Sequence, residues 1–329
     1  MRAPDFWISK GIGASALAAL LSPVGALYGL AASVTNAKAR PVRPHAHVLC
    51  VGNLTVGGTG KTPIAIALAR MLATRGLKTV FLTRGYGGRL TGPVCVDIDR
   101  HTAADVGDEP LLLAKAGPTV VSRDRAAGAD LADHLEADII IMDDGHQNFS
   151  LAKDMSIVIV DAETGIGNGR LFPAGPLRER ADDGFARADA IVLMGEGTPP
   201  LPRFTGAILR AHLVPQTGGT LNGKALLAFA GIGRPEKFFA TLRGMGANVS
   251  GAQAFADHHP YSQSELAALR AAAQERHLLL VTTEKDYIRI DPGDRQGIVP
   301  VPVVAEIGEA DALARLLDKL PPKKGGARR

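Results

Sequence analysis

Apolar residues in this chain fall into short unbroken runs separated by polar, glycine-punctuated loops and by stretches of helical periodicity. The run His47–Asn53 (HVLCVGN) precedes a helical pattern from Thr62 to about Gly76. Similar runs recur at Lys78–Thr83, Thr119–Ser122, Asp138–Met142, Ser156–Asp161 and Ala190–Met194, with helical stretches at Glu109–Ala116 and Asp124–Leu135. Unbroken apolar runs read as buried strands, and their alternation with helices predicts an α/β fold: a doubly wound parallel sheet covered on both faces. Proline-rich segments at 198–202 and 215–219 mark a boundary. Beyond it the pattern resumes with a strand at Ala225–Ala230, helices at Pro235–Met245 and Ser262–Arg276, a strand at Leu278–Thr283 and a helix at Glu309–Leu320. The expected organisation is an N-terminal segment at 1–40, a main domain at 41–220 and a smaller α/β domain at 221–329.

From Gly11 to Val34 no residue carries a charge. That length suffices to span a bilayer, which takes about 20 apolar residues. The segment is rich in Ala and Gly and contains Pro23, so two short helices lying in a membrane interface are expected. Phe6, Trp7 and Tyr28 are candidate interfacial anchors, flanked by Lys10, Lys38, Arg40 and Arg43. Two other readings compete: a signal peptide with Arg2 and Lys10 ahead of the apolar run, and a helical hairpin packed on the protein's own core.

Composition narrows the class. The 329 residues are 46% hydrophobic, enough for a large core, and only 5% aromatic. Scarce aromatics leave no stacking platform, and the net charge of +4 is dispersed, so nucleic acid is not an expected partner. The terminal Lys323, Lys324, Arg328 and Arg329 inflate that charge. The two cysteines, Cys50 and Cys95, offer neither a disulfide framework nor metal spacing, which fits a reducing compartment.

The segment Gly57-Gly58-Thr59-Gly60-Lys61-Thr62 joins a predicted strand to a predicted helix. In that setting backbone N–H groups close around phosphates, the lysine reaches the β- and γ-phosphates, and the Thr62 hydroxyl takes a Mg²⁺ position. ATP and Mg²⁺ are therefore the expected cofactors, with Thr55, Val56, Gly57, Gly58, Thr59, Gly60, Lys61 and Thr62 forming the nucleotide loop. The full phosphate-loop pattern wants glycine at 55, where this chain has Thr55. The loop resembles the deviant loops of the partition-ATPase and dethiobiotin-synthetase group. Val56 stands where the dimerising ATPases of that group carry an extra lysine, which favours a small-molecule kinase or synthetase. Asp143 and Asp144 end an apolar strand, the usual place for carboxylates that hold Mg²⁺ directly or through water.

Gly107-Asp108-Glu109-Pro110 opens a helix, so Asp108 reads locally as a cap. Asp257-His258-His259 follows a loop in the second domain. Should Asp108 and His258 meet across a crevice, they would form the base that phosphoryl transfer to an alcohol requires. Arginines cluster at Arg84–Arg89, at Arg123 and Arg125, and at Arg178–Arg180; such forks suit phosphate on an acceptor, or simply a solvated face.

Seven motifs occur in order after the apolar segment: GNLTVGGTGKTP (52–63), TRGYGGR (83–89), GDEP (107–110), DDGHQN (143–148), FPAGPLRE (172–179), FADHHPY (255–261) and TTEKD (282–286). Together they resemble the tetraacyldisaccharide 4'-kinase family, the lipid A 4'-kinases of Gram-negative bacteria. The resemblance implies transfer of the ATP γ-phosphate to the 4'-hydroxyl of a tetraacyl glucosamine disaccharide 1-phosphate. It further implies a monotopic enzyme among the membrane lipids at the cytoplasmic face of the inner membrane. Carried over by motif position, Asp108 and His258 are the catalytic dyad, and Thr62, Asp143 and Asp144 serve the metal. Arg84, Tyr86, Arg125, Gln147, Arg178 and Glu179 contact the acceptor head group or the nucleotide phosphates. The chain departs from the family pattern at His146, where Leu or Phe is frequent, and at Asn148, where His is. Glu284, Lys285 and Asp286 have two readings, an adenine contact or a structural ion pair. No obligate protein partner is evident. The rival readings are a soluble small-molecule kinase and a membrane-recruited ATPase switch.

Overall fold

The computed structural model describes residues 4–9, 11–217 and 219–320. Arg2 and Lys10 of the flanking-charge argument, and Lys323, Lys324, Arg328 and Arg329, lie outside the described residues. A helix α1 (Ile12–Ala37) leads into strand β1 (His47–Gly52), helix α2 (Lys61–Thr74) and strand β2 (Thr79–Thr83). There follow β3 (Val94–Cys95), α3 (Ala103–Val106), α4 (Asp108–Ala114), β4 (Thr119–Val121), α5 (Arg125–His134) and β5 (Ile139–Asp143). The first half closes with β6 (Met155–Asp161), α6 (Ala181–Ala186), β7 (Ala190–Met194) and β8 (Ala207–Pro215). The second unit contains β9 (Ala225–Ala230), α7 (Pro235–Gly244), β10 (Asn248–Ala254), α8 (Gln263–Glu275), β11 (Leu279–Thr283), α9 (Glu284–Arg289) and β12 (Ile298–Val301). Last come β13 (Val303–Ile307) and α10 (Ala310–Leu317).

Two sheets result. The larger has nine strands in the order β13-β8-β7-β6-β1-β5-β2-β4-β3, and the smaller has four in the order β10-β9-β11-β12. Strands β1, β5, β6 and β7 are buried at every position, as parallel strands covered on both faces must be. Alternate residues of β1 face opposite layers. Leu49 and Val51 pack with Ile64, Leu68 and Leu72 of α2, whereas Val48 and Cys50 pack with Ala129 and Ala132 of α5. The apolar positions of α2 recur at intervals of four, and that stripe fixes the helix on the sheet directly behind the phosphate loop.

Three features depart from the sequence reading. The interruption expected at Pro23 does not occur, and α1 is one continuous helix. Pro23 removes one backbone donor, and the neighbouring Ser22 hydroxyl donates to the Ala18 carbonyl at 2.7 Å and is itself held by Arg170. The helix is not a core hairpin either: its most apolar window is only 11% buried, and Ile12–Val34 is long and apolar enough to cross a membrane. It rests on the 166–177 loop, where Tyr28 and Trp7 meet Phe172 edge-on.

The other two departures concern the end of the chain. The proline-rich boundary contains a nine-residue strand, β8, parallel to β7 and antiparallel to β13. The helix expected at 309–320 forms as α10, but on the large sheet: Leu313, Leu316 and Leu317 join the same core as α2. The chain thus leaves the small sheet after β12 and closes the edge of the large one, so the region beyond residue 302 belongs to the first sheet.

Candidate active site

The loop between β1 and α2 sits over the carboxyl ends of the central strands, where ligands bind in folds of this kind. Gly60 must be glycine, because its φ of +83° is left-handed and its nearest neighbour is the Met194 side chain. The Asn53 amide donates to the carbonyls of Thr55 at 2.8 Å and Gly57 at 3.3 Å. The Val56 N–H donates to the Pro176 carbonyl at 2.8 Å, pinning the loop to the 172–179 segment.

Thr62, the second residue of α2, donates its hydroxyl to Asp143 Oδ2 at 3.0 Å. Burial pushes the Asp143 carboxyl up from 3.8 to about 6, against the pull of Lys61. Asp143 Oδ1 is buried without a hydrogen-bond partner. An orphaned carboxylate oxygen beside a hydroxyl is a hard-oxygen donor set, and it fits Mg²⁺, which takes one or two carboxylates and completes its shell with phosphate and water. Among the described residues no cluster of three or more His, Cys, Asp or Glu is placed to hold a metal without such help. Asp144 points elsewhere, to Lys61 Nζ at 3.6 Å and Arg178 Nη1 at 2.9 Å. Burial raises its carboxyl and those two cations lower it, with the cations prevailing.

The structure brings Asp108 and His258 together although 150 residues separate them. Gly107, with φ +93°, turns the chain so that Asp108 becomes the first residue of α4. His258 Nδ1 lies 2.9 Å from Asp108 Oδ2, and Arg289 Nε donates to the same oxygen at 2.5 Å. No described residue donates to Asp108 Oδ1. Burial raises this carboxyl, but the His258 hydrogen bond and the Arg289 charge outweigh it and hold it below its usual range. His258 is held with φ +58°, and its ring meets the Tyr86 ring edge-on at 5.9 Å.

A cleft of about 1850 Å³ runs from α1 past the phosphate loop to His258. Its walls include every residue of the loop from Thr55 to Thr62, both Asp143 and Asp144, and Trp7, Tyr28 and Phe172 from the N-terminal corner. Asp108 lies just behind this wall, 6% exposed. Arg84, Tyr86, Arg125, Gln147, Arg178 and Glu179 all line the cleft, with differing freedom. Tyr86 is widely exposed, at 73%. Arg125 is buried and donates to the Ser122 carbonyl at 2.6 Å, and burial lowers its guanidinium to about 10. Gln147 donates to Glu179 and to the Asn53 carbonyl, both at 2.8 Å, and Glu179 also pairs with Arg187. His146 does not line the cleft. It is wholly buried, its Nε2 lies 2.9 Å from the Gly184 carbonyl, and burial lowers its imidazole to about 4.

The Glu284-Lys285-Asp286 motif forms ion pairs. Glu284 meets Lys115 at 2.9 Å, Lys285 meets Glu109 at 2.6 Å and Asp286 meets Arg289 at 2.7 Å. Sequence reasoning missed Arg289, and it missed Arg234, which joins Asp161 of β6 from the start of α7. The one available signal for Arg289 was its spacing of three from Asp286 on a short helix, which is common to many surface pairs.

The chain is similar to known proteins over most of its length. The family model "Tetraacyldisaccharide-1-P 4'-kinase" matches residues 17–321. The tetraacyldisaccharide 4'-kinase of Paramagnetospirillum magneticum is 49% identical over 325 residues, covering 97% of this chain and 99% of that protein. Its counterpart from Parvibaculum lavamentivorans is 47% identical over 338 residues, covering 97% of each. Among solved structures, that of LpxK from Aquifex aeolicus in complex with ATP superposes with a TM-score of 0.75 at 27% identity, covering 92% of this chain and 99% of that one. By sequence over nearly its whole length and by fold, the chain belongs to the tetraacyldisaccharide-1-P 4'-kinase family.

Proposed function

We propose that this protein is a lipid kinase that phosphorylates the 4'-hydroxyl of a tetraacyl disaccharide 1-phosphate at the expense of ATP, in lipid A biosynthesis. The observation that carries the reading is the continuity of one cleft from the apolar N-terminal corner to the phosphate loop and His258. A soluble acceptor would need no such corner. A lipid acceptor needs an apolar approach ending at a phosphoryl-transfer centre. Helix α1 lines the cleft with Leu21, Tyr28 and Ala32, and its exposed face, with Ile12, Leu20, Leu27 and Leu30, suits a monotopic seat on the cytoplasmic leaflet of the inner membrane.

In this reading the loop from Thr55 to Thr62 cradles the ATP phosphates, and Lys61 neutralises charge on them. Thr62 and Asp143 would hold Mg²⁺, which would neutralise charge on the ATP phosphates. Asp108 Oδ2 is occupied by His258 and Arg289, so Oδ1 is the atom left to orient the acceptor hydroxyl and take its proton. Arg84, Tyr86, Arg125 and Arg178 line the cleft where the γ-phosphate and the acceptor head group would lie, and arginine forks suit phosphate. Gln147 and Glu179 brace the wall through each other. The test is transfer of labelled γ-phosphate from Mg-ATP to a tetraacyl disaccharide 1-phosphate in detergent micelles, with Asp108→Ala alongside. Labelled lipid is expected from the wild type and little from the variant. Release of free phosphate with unlabelled lipid would end the lipid-kinase reading.

A further inference from the structure

Helix α9 belongs to the small sheet, yet it is fastened along α4 of the large one. Lys115–Glu284, Glu109–Lys285 and Asp108–Arg289 form three ion pairs between α9 and α4 with its capping residue Lys115. The last differs from the others in burial, with both side chains under a tenth exposed. Arg289 reaches Asp108 Oδ2 through Nε, while its Nη1 donates to Asp286 Oδ1 at 2.7 Å and to the Gly231 carbonyl at 2.8 Å. That Gly231 carbonyl also accepts the His258 N–H at 3.0 Å. Asp286 is wholly buried and is itself fixed by Gly231 N–H, the Tyr261 hydroxyl and Thr283. One carbonyl and one carboxylate therefore set the positions of both Arg289 and the backbone of His258.

We propose that Arg289 is the positioning residue of the Asp108–His258 pair, clamping Asp108 Oδ2 from the small sheet so that Oδ1 alone is left for the acceptor. A guanidinium suits this because its fork bonds three acceptors in fixed directions, which an ammonium on a flexible stem does not. The groups facing Asp108 are Arg289 and Lys285 from α9, His258 with Asp257 behind it from the 255–261 loop, and Glu109 from its own helix. Lys285 Nζ lies 3.4 Å from His258 Nε2 and can only donate, which makes Nε2 the acceptor and leaves the proton on Nδ1, facing Asp108. Arg289 is the closest cation to the carboxylate, so removing its charge raises the pH at which Asp108 ionises.

This inference rests on the proposed role of the Asp108–His258 pair, and the experiment separates the two. Arg289→Met, Arg289→Lys and Asp108→Ala are made in the full-length enzyme and assayed for lipid phosphorylation across pH, with ATP affinity measured by titration calorimetry. Arg289→Met is expected to lower kcat about 10²-fold, the cost of misplacing a reacting group by an ångström, with ATP affinity retained. Its acid limb moves to higher pH, and Arg289→Lys returns the limb towards the wild-type position. Wild-type turnover in Arg289→Met, or an equal loss at every pH with an unmoved limb, overturns the proposal. If Arg289→Met does not accumulate as soluble protein, Arg289→Lys decides: it keeps the charge and loses the fork, so an unchanged kcat overturns the clamp. An inactive Asp108→Ala beside a wild-type-like Arg289→Met sinks the clamp alone. An active Asp108→Ala sinks the base assignment and the clamp with it.

Discussion

Gly107→Ala is a one-carbon test of how Asp108 is placed. Gly107 has φ +93° and ψ 169°, a region essentially closed to residues with a side chain. Holding alanine there costs about 1–3 kcal/mol before any contact is counted. A Cβ built on Gly107 would stand 2.4 Å from the Tyr86 carbonyl oxygen, where real Cβ contacts begin near 3.0 Å, so one backbone must retreat by about 0.6 Å. Neither partner can yield cheaply: Tyr86 lies in the loop that meets His258, and Gly107 leads directly into Asp108. The expected outcome is a stability loss of about 2–4 kcal/mol once strain and clash are combined, and a fall in kcat of about 10²-fold. The phosphate loop is a separate segment with its own bracing, so ATP affinity should be retained. Lipid phosphorylation, thermal unfolding and ATP titration read the three quantities. An alanine variant with wild-type melting temperature and kcat would refute the claim that this backbone turn sets the base.

Other outcomes follow from the same geometry. Asp108→Ala should lower kcat by about 10²–10⁴ with ATP KM nearly unchanged, and near wild-type turnover would exclude Asp108 as the base. Because the Asp143 carboxyl is raised to about 6, its proton competes with Mg²⁺ as pH falls through that value. The Mg²⁺ concentration for half-maximal rate should therefore climb between pH 7 and pH 5, and a flat dependence would remove Asp143 from the metal site. The exposed Leu20 and Leu27 on α1 should carry membrane attachment. Replacing both with glutamate should weaken flotation with anionic vesicles while ATP binding persists, and unchanged flotation would end the anchor assignment.

The parts of this fold legible in sequence are those whose signal is local. Strands β1, β5, β6 and β7 are unbroken apolar runs because both faces are buried, and α2 carries a clean stripe behind a glycine loop. Strand β8, second from the edge, has a mixed pattern with one face largely exposed, and the prolines on either side of it read as a boundary. Its partner β13 lies some 90 positions on in the chain, so nothing near either strand announces the pairing. Pro23 misled for a related reason: its effect on α1 is set by Arg170, which holds Ser22, and by the surface formed by residues 166–177, which are contacts from outside the helix.

The candidate site divides along the same line. Lys61 and Thr62 follow from loop chemistry, and Asp143 from its position at a strand end, because each role is defined within a few residues. The meeting of Asp108 with His258 depended on seven motifs occurring together, since spacing alone reads Asp108 as a helix cap and sets His258 only after a loop of the second domain. Arg289 had no motif to announce it. Its importance comes from burial against Asp108 and from the carbonyl it shares with His258, both products of packing two sheets together. A clamp of this kind also explains why the acidic and basic residues of 284–286 need not touch nucleotide. Glu284 and Lys285 tie α9 to α4 and Asp286 orients Arg289, so the motif can act on the reaction through the geometry of Asp108.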